Sequence, residues 1–168
     1  MQNKALVIID IQNDMTKNYK EIIDNINTAI ARAADNNMHV VYIRHENLSP
    51  GTRTFKPDTR GSELASDLNI VSDNIFTKYK SNALTSEAFA GFIGDNEISE
   101  CFLAGADAVV CVKSTCYNLL KAGCKVTVLS DCVTSYDKKK MPEMLRYYES
   151  KGGRVARLSD LQDRSPSG

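Results

Sequence analysis

Residues 5–10 read Ala5-Leu6-Val7-Ile8-Ile9-Asp10. An unbroken apolar, β-branched run closed by a carboxylate predicts a strand buried on both faces rather than one that alternates between core and solvent. Strands of that kind belong to parallel sheets covered by helices. Working outward, Ile22, Ile23, Ile26, Ala29, Ile30 and Ala33 recur at helical spacing and Asn36-Asn37 supplies a stop signal. Residues 39–43 are again short, apolar and β-branched, so the order is strand, helix, strand.

The same alternation continues along the chain. The segment 45–60 is polar and irregular, with Pro50, Gly51 and Pro57, and reads as a long loop. A short helix is expected at 62–68, a strand at 75–78, a helix at 86–92 and a strand at 100–104. A helix at 111–122 carries Val112, Cys116, Leu119 and Leu120 on one face, with Gly123 as its C-terminal cap. A strand at 125–130, a helix at 142–150 and a last strand at 154–158 follow. The fold class predicted is α/β, a doubly wound three-layer sandwich with helices on both faces of a parallel sheet. One domain over residues 1–161 and a flexible C-terminal tail at 162–168 complete the organisation.

Composition narrows the function. The 168 residues are 42% hydrophobic and 25% charged, which excludes a disordered or collagenous chain. Twenty-one basic residues balance twenty-one acidic ones, so no nucleic-acid or anionic-membrane partner is expected. The one compact basic run, Lys138-Lys139-Lys140, reads as a solvated helix start. No stretch approaches the ~20 apolar residues of a membrane helix and no signal peptide is seen, which predicts a cytoplasmic protein. The five cysteines, Cys101, Cys111, Cys116, Cys124 and Cys132, are odd in number and lack metal-site spacing, so free thiols in a reducing compartment are expected.

In doubly wound sheets ligands bind beyond the carboxyl ends of the strands, so polar residues ending strands are candidates for chemistry. Asp10 closes the first strand, Lys78 the third, and Cys111 follows the fourth at the start of a helix. Singly, each has an ordinary reading: a turn-capping carboxylate, a solvated lysine, a buried small apolar thiol. Jointly they describe an activated nucleophile. A helix N-terminus and an ammonium favour the thiolate of Cys111, and Asp10 within reach of the thiol would serve as proton acceptor.

Three stretches carry a family resemblance: Asp10-Ile11-Gln12-Asn13-Asp14, Lys78-Tyr79-Lys80-Ser81-Asn82-Ala83, and Gly105-Ala106-Asp107-Ala108-Val109-Val110-Cys111-Val112 with Thr115. The chain resembles the isochorismatase-like cysteine hydrolases, relatives of nicotinamidase and N-carbamoylsarcosine amidase, over nearly its whole length to about Leu161. The resemblance implies a six-stranded parallel sheet, assembly as a homodimer or homotetramer, and a catalytic triad of Asp10, Lys78 and Cys111. It also implies a cis peptide between Ala106 and Asp107, with the Asp107 and Cys111 amides forming an oxyanion hole. The implied reaction is cleavage of an amide-type C–N bond in a small molecule through a thioester. Gln12, His45, Tyr79, Leu84, Ala108 and Val110 would bind that substrate.

Departures from the family pattern matter. Nicotinamidase-type members hold a divalent metal through an Asp and paired histidines after the second strand, whereas the only histidines here are His39 and His45. No metal and no cofactor are therefore expected. Ala108 stands where many members have Thr or Ser, and Met15 and Leu84 stand where aromatics are common. Two rival readings are a catalytically idle binding or partner domain of the same fold, and a vinyl ether hydrolase of the isochorismatase type. Cys111 argues against the second.

Overall fold

The computed structural model describes residues 3–161; the tail assigned to 162–168 lies outside the described residues. Six strands form one sheet in the order β3-β2-β1-β4-β5-β6. They are β1 (Lys4–Ile9), β2 (His39–His45), β3 (Ile75–Lys78), β4 (Glu100–Gly105), β5 (Lys125–Val133) and β6 (Arg154–Ala156), and every pairing is parallel. The helices are α1 (Thr16–Tyr19), α2 (Ile23–Asp35), α3 (Glu87–Asp95), α4 (Cys111–Lys121) and α5 (Met141–Ser150).

The fully buried run of β1 sits at the centre of the sheet and feeds both faces. Leu6 and Ile8 join the core under α2, where Ile23, Ile26, Ala29, Ile30 and Ala33 pack. Ala5, Val7 and Ile9 face the other way, into the core under α3, α4 and α5. The two covers are unequal. Only α2 is a long helix on its face, and the β5 end of that face is closed by Leu129, Cys132, Leu161 and the partly buried Leu158. The sheet winds outward from β1 in both directions, so the reversal of strand order lies between β1 and β4, the point at whose carboxyl end doubly wound sheets bind ligands.

That junction is held by a glycine. Gly105, at φ 118, pairs with Ile9, and a Cβ on it would meet the Ile9 carbonyl oxygen at 2.2 Å. No side chain fits there. Beyond β1, Asp10 takes a left-handed φ of 56 while its amide donates to the Ile43 carbonyl at 3.0 Å. This conformation costs a non-glycine residue about 1 kcal/mol, least for Asp and Asn.

Three sequence expectations are corrected. Residues 62–68 are not helical. A short 3-10 turn, Arg60–Ser62, leads into extended chain that lies against the segment after β1: Leu64 bridges Gln12, and the Ala65 amide donates to the Ile11 carbonyl. Backbone pairing at the sheet end there outweighs helical periodicity. β5 runs to Val133, past the predicted 130, because it continues beside Gly105 after a register shift. Lys138 is not merely solvated; it pairs with Glu21 at 2.6 Å and donates to Thr134 Oγ1 and the Asn18 and Ser135 carbonyls. Among the described residues no helix is long and apolar enough to cross a membrane.

Candidate active site

The segment 10–14 turns at Asp10 and then spends its polar side chains on the long loop. Gln12, fully buried, donates through Nε2 to the His45 and Ser62 carbonyls at 2.8 and 2.7 Å and accepts the His45 amide at 2.8 Å. Asn13 donates to the Arg60 carbonyl, and Asp14 accepts the Phe55 amide at 2.7 Å. Gln12 was expected at the substrate. Its amide is instead fully engaged with backbone, so it fixes the end of β2 and the loop.

Lys78, at the end of β3, is 1% exposed and reaches inward. Its Nζ lies 3.1 Å from Asp10 Oδ2, 2.9 Å from His45 Nδ1 and 3.4 Å from Cys111 Sγ. The three side chains proposed from strand ends therefore meet at one ammonium. Thr115, one turn into α4 from Cys111, accepts the Ala83 amide at 3.0 Å and ties the chain after β3 to the helix that carries Cys111. Cys111 is partly exposed, and the other four cysteines are buried.

Charge state departs from expectation. Burial, with the Asp10 carboxylate beside it, pushes the Cys111 thiol up to about 12, against the pull of Lys78. Loss of solvation outweighs the one nearby ammonium, so the shift is toward the thiol and away from a standing thiolate. Burial also raises Asp10, opposed by the Lys78 ammonium and by Cys111 and His45. Asp10 Oδ1 is buried without a hydrogen-bond partner. An unsatisfied carboxylate oxygen costs stability.

The loop before α4 holds the second half of the site. The Ala106–Asp107 peptide is cis. The Asp107 carboxylate takes the Val109 amide on Oδ1 and the Tyr136 amide and Tyr19 hydroxyl on Oδ2, at 2.9, 2.9 and 3.2 Å. Among the described residues, neither the Asp107 nor the Cys111 amide donates to another backbone or side-chain group. The Cys111 amide lies at the start of α4, where the helix end also favours negative charge, and the Asp107 amide lies in the loop before it.

The remaining expected substrate contacts are dispersed. Ala108 is fully buried, its amide donating to the Thr134 carbonyl and its carbonyl accepting the Tyr148 hydroxyl, so it belongs to the core and not to a pocket wall. Leu84 is half-buried against the core under α3 and α4. Tyr79 and Val110 are 53% and 50% exposed and lie in separate depressions, Tyr79 with Thr77 and Glu87, Val110 with Ser81 and Tyr117. His45 contacts Lys78. Among the described residues no cluster of three or more His, Cys, Asp or Glu side chains is placed to hold a metal ion. Sequence reasoning missed Tyr19 and Phe55, whose ring stands edge-on to His45 with centroids 5.9 Å apart; neither has a spacing signal in the sequence.

The isochorismatase domain family matches residues 4–160. The chain belongs to the isochorismatase family. The family protein YddQ of Bacillus subtilis (strain 168) is 24% identical over 140 residues, covering 78% of each chain. Among solved structures, the nicotinamidase PncA from Bacillus subtilis superposes with a TM-score of 0.83 at 20% identity, over 93% of this chain and 100% of that one. The N-carbamoylsarcosine amidase from Thermoplasma acidophilum gives 0.81 at 20% identity, over 94% and 97%. For this isochorismatase-family chain those likenesses speak to the six-stranded fold.

Proposed function

We propose that the protein is a cysteine hydrolase that cleaves the amide-type C–N bond of a small molecule. The observation that carries the reading is the convergence on Lys78 Nζ of Asp10 Oδ2 at 3.1 Å and Cys111 Sγ at 3.4 Å, beside a buried Asp10 oxygen without a partner. The amidase relatives of the same fold agree with it.

In this reading the Cys111 thiol gives its proton to Asp10 as sulfur attacks the carbonyl carbon, so no resting thiolate is needed. The Asp107 and Cys111 amides receive the oxyanion, and Lys78 offsets the charge passing between sulfur and carboxylate. The C–N bond then breaks, and the departing nitrogen takes the proton from Asp10. Water enters, loses a proton to Asp10 and attacks the thioester. The C–S bond breaks, and sulfur recovers its proton. The net change is amide plus water to acid plus amine.

The test is ammonia or amine release across a panel of small amides, with Cys111→Ala as the blank. Turnover lost in that variant, together with an acyl mass on Cys111 in the parent protein, is the expected result. Full turnover in Cys111→Ala would end the covalent mechanism, and no turnover with any amide would favour an idle binding domain.

A further inference from the structure

The Lys78 ammonium has three N–H bonds and no way to accept. Its side chain is 0% exposed. Three acceptors surround it, each from a different element: Asp10 after β1, His45 at the end of β2 and Cys111 at the start of α4. Asp10 and Cys111 exchange a proton in the proposed reaction, whereas the mechanism makes no use of His45.

We propose that His45 is a positioning residue: its neutral imidazole accepts one Lys78 N–H at Nδ1 and thereby aims the other two at Asp10 and Cys111. The catalytic consequence rests on the hydrolase reading above; the contact itself does not. With Nδ1 as acceptor, the ring proton must sit on Nε2. The ring is held for this purpose. Gln12 bonds both the amide and the carbonyl of His45, and Phe55 stands edge-on to the imidazole.

The charged groups bearing on the ring are Lys78 from β3 and Asp10 from the end of β1, with Cys111 beyond Lys78 on α4. Arg44 and Glu46, its neighbours in sequence, pair with each other at 3.4 Å. A protonated His45 would set an N–H against the ammonium and turn Lys78 away. Burial and Lys78 hold His45 below the ordinary imidazole value, with Asp10 opposing. The neutral, accepting form therefore persists to lower pH than in a free histidine, and the arrangement is lost as pH falls through the lowered value.

Nitrogen-15 NMR of the whole protein tests the contact directly, since only His39 and His45 contribute imidazole signals. The Nε2–H tautomer for His45 at neutral pH is expected, and the Nδ1–H tautomer would overturn the proposal. Iodoacetamide labelling of Cys111 at pH 9, mapped by mass spectrometry, tests the consequence. His45→Phe, which keeps a ring without the acceptor, should slow labelling by about ten-fold or more, as loss of a buried partner implies. His45→Asn, whose Oδ1 replaces Nδ1 as acceptor, should recover most of that loss. Equal rates in the parent protein and His45→Phe would sink the positioning role. If the Phe variant does not fold, the parent's tautomer and the rate in His45→Asn decide: an Nε2–H ring with a largely retained rate supports the proposal, and an Nδ1–H ring overturns it. An Nε2–H ring in a protein whose Cys111 labels no faster than its buried cysteines would keep the contact and remove the hydrolase reading.

Discussion

Two lysine–carboxylate pairs in this protein have opposite character. Lys138 and Glu21 approach to 2.6 Å on the surface, their side chains 54% and 48% exposed, whereas Lys78 and Asp10 stand farther apart, at 3.1 Å, with side chains 0% and 6% exposed. Distance alone would rank the surface pair first. Solvent reverses the order, because water screens the exposed charges while the buried pair has only its neighbours to replace lost hydration. The buried pair also perturbs what it touches, down to the thiol 3.4 Å away. In this fold, the charge states of the site depend on its dryness as much as on its residue types.

The comparison is sharpened first by pH. A Cys111 thiol pushed up to about 12 predicts that alkylation of this residue rises about ten-fold per pH unit from pH 7 to 10. A plateau below pH 8 would mean a thiolate already stands beside Lys78. Next in size, Lys78→Ala should cost about 3–5 kcal/mol in urea unfolding, since it leaves a buried carboxylate without its cation. A loss under 1 kcal/mol would place the buried pair with the surface one.

A smaller effect is expected of Gln12→Ala, which removes the side-chain partner of the His45 amide and carbonyl while the Ser62 carbonyl keeps Arg44. A loss of about 1–3 kcal/mol, accompanied by slower Cys111 labelling, would show that the stitch serves the site; stability loss with unchanged labelling would confine it to the loop. Smallest is Lys138→Ala, with a change within about 1 kcal/mol that shrinks further in high salt. Acid unfolding sharpens the same contrast. Burial raises Glu21, but hydrogen bonds from Lys138, backbone and Thr134 together outweigh it and hold the carboxyl below its ordinary value. Its contribution is present above the unfolded carboxylate range and lost as pH falls through the lowered value. Asp10 is raised, so its contribution has the opposite sign: ionising it inside the fold costs stability as pH rises.

Much of the fold was legible because each strand of this sheet is short, apolar and separated from the next by a helix or loop with its own stop signals. The reading failed at 62–68, where the partner that makes Leu64 extended lies some fifty residues away at Gln12. It also failed for Gln12 and Ala108. Gln12 stands close to Asp10 in sequence and Ala108 close to Cys111, yet the Gln12 side-chain amide and the Ala108 carbonyl are bonded within the structure. Adjacency to a motif does not say which way a side chain faces.

The residue types and their strand-end positions, Asp10, Lys78 and Cys111 on a doubly wound sheet, are properties of the sequence, because hydrophobic periodicity dictates which residues end the strands. The tertiary structure alone decided that the lysine is sealed from water, that His45 shares it, and that burial pushes the Cys111 thiol up. Those facts depend on solvent exclusion by groups distant in the chain, and exclusion exists only once the elements have packed.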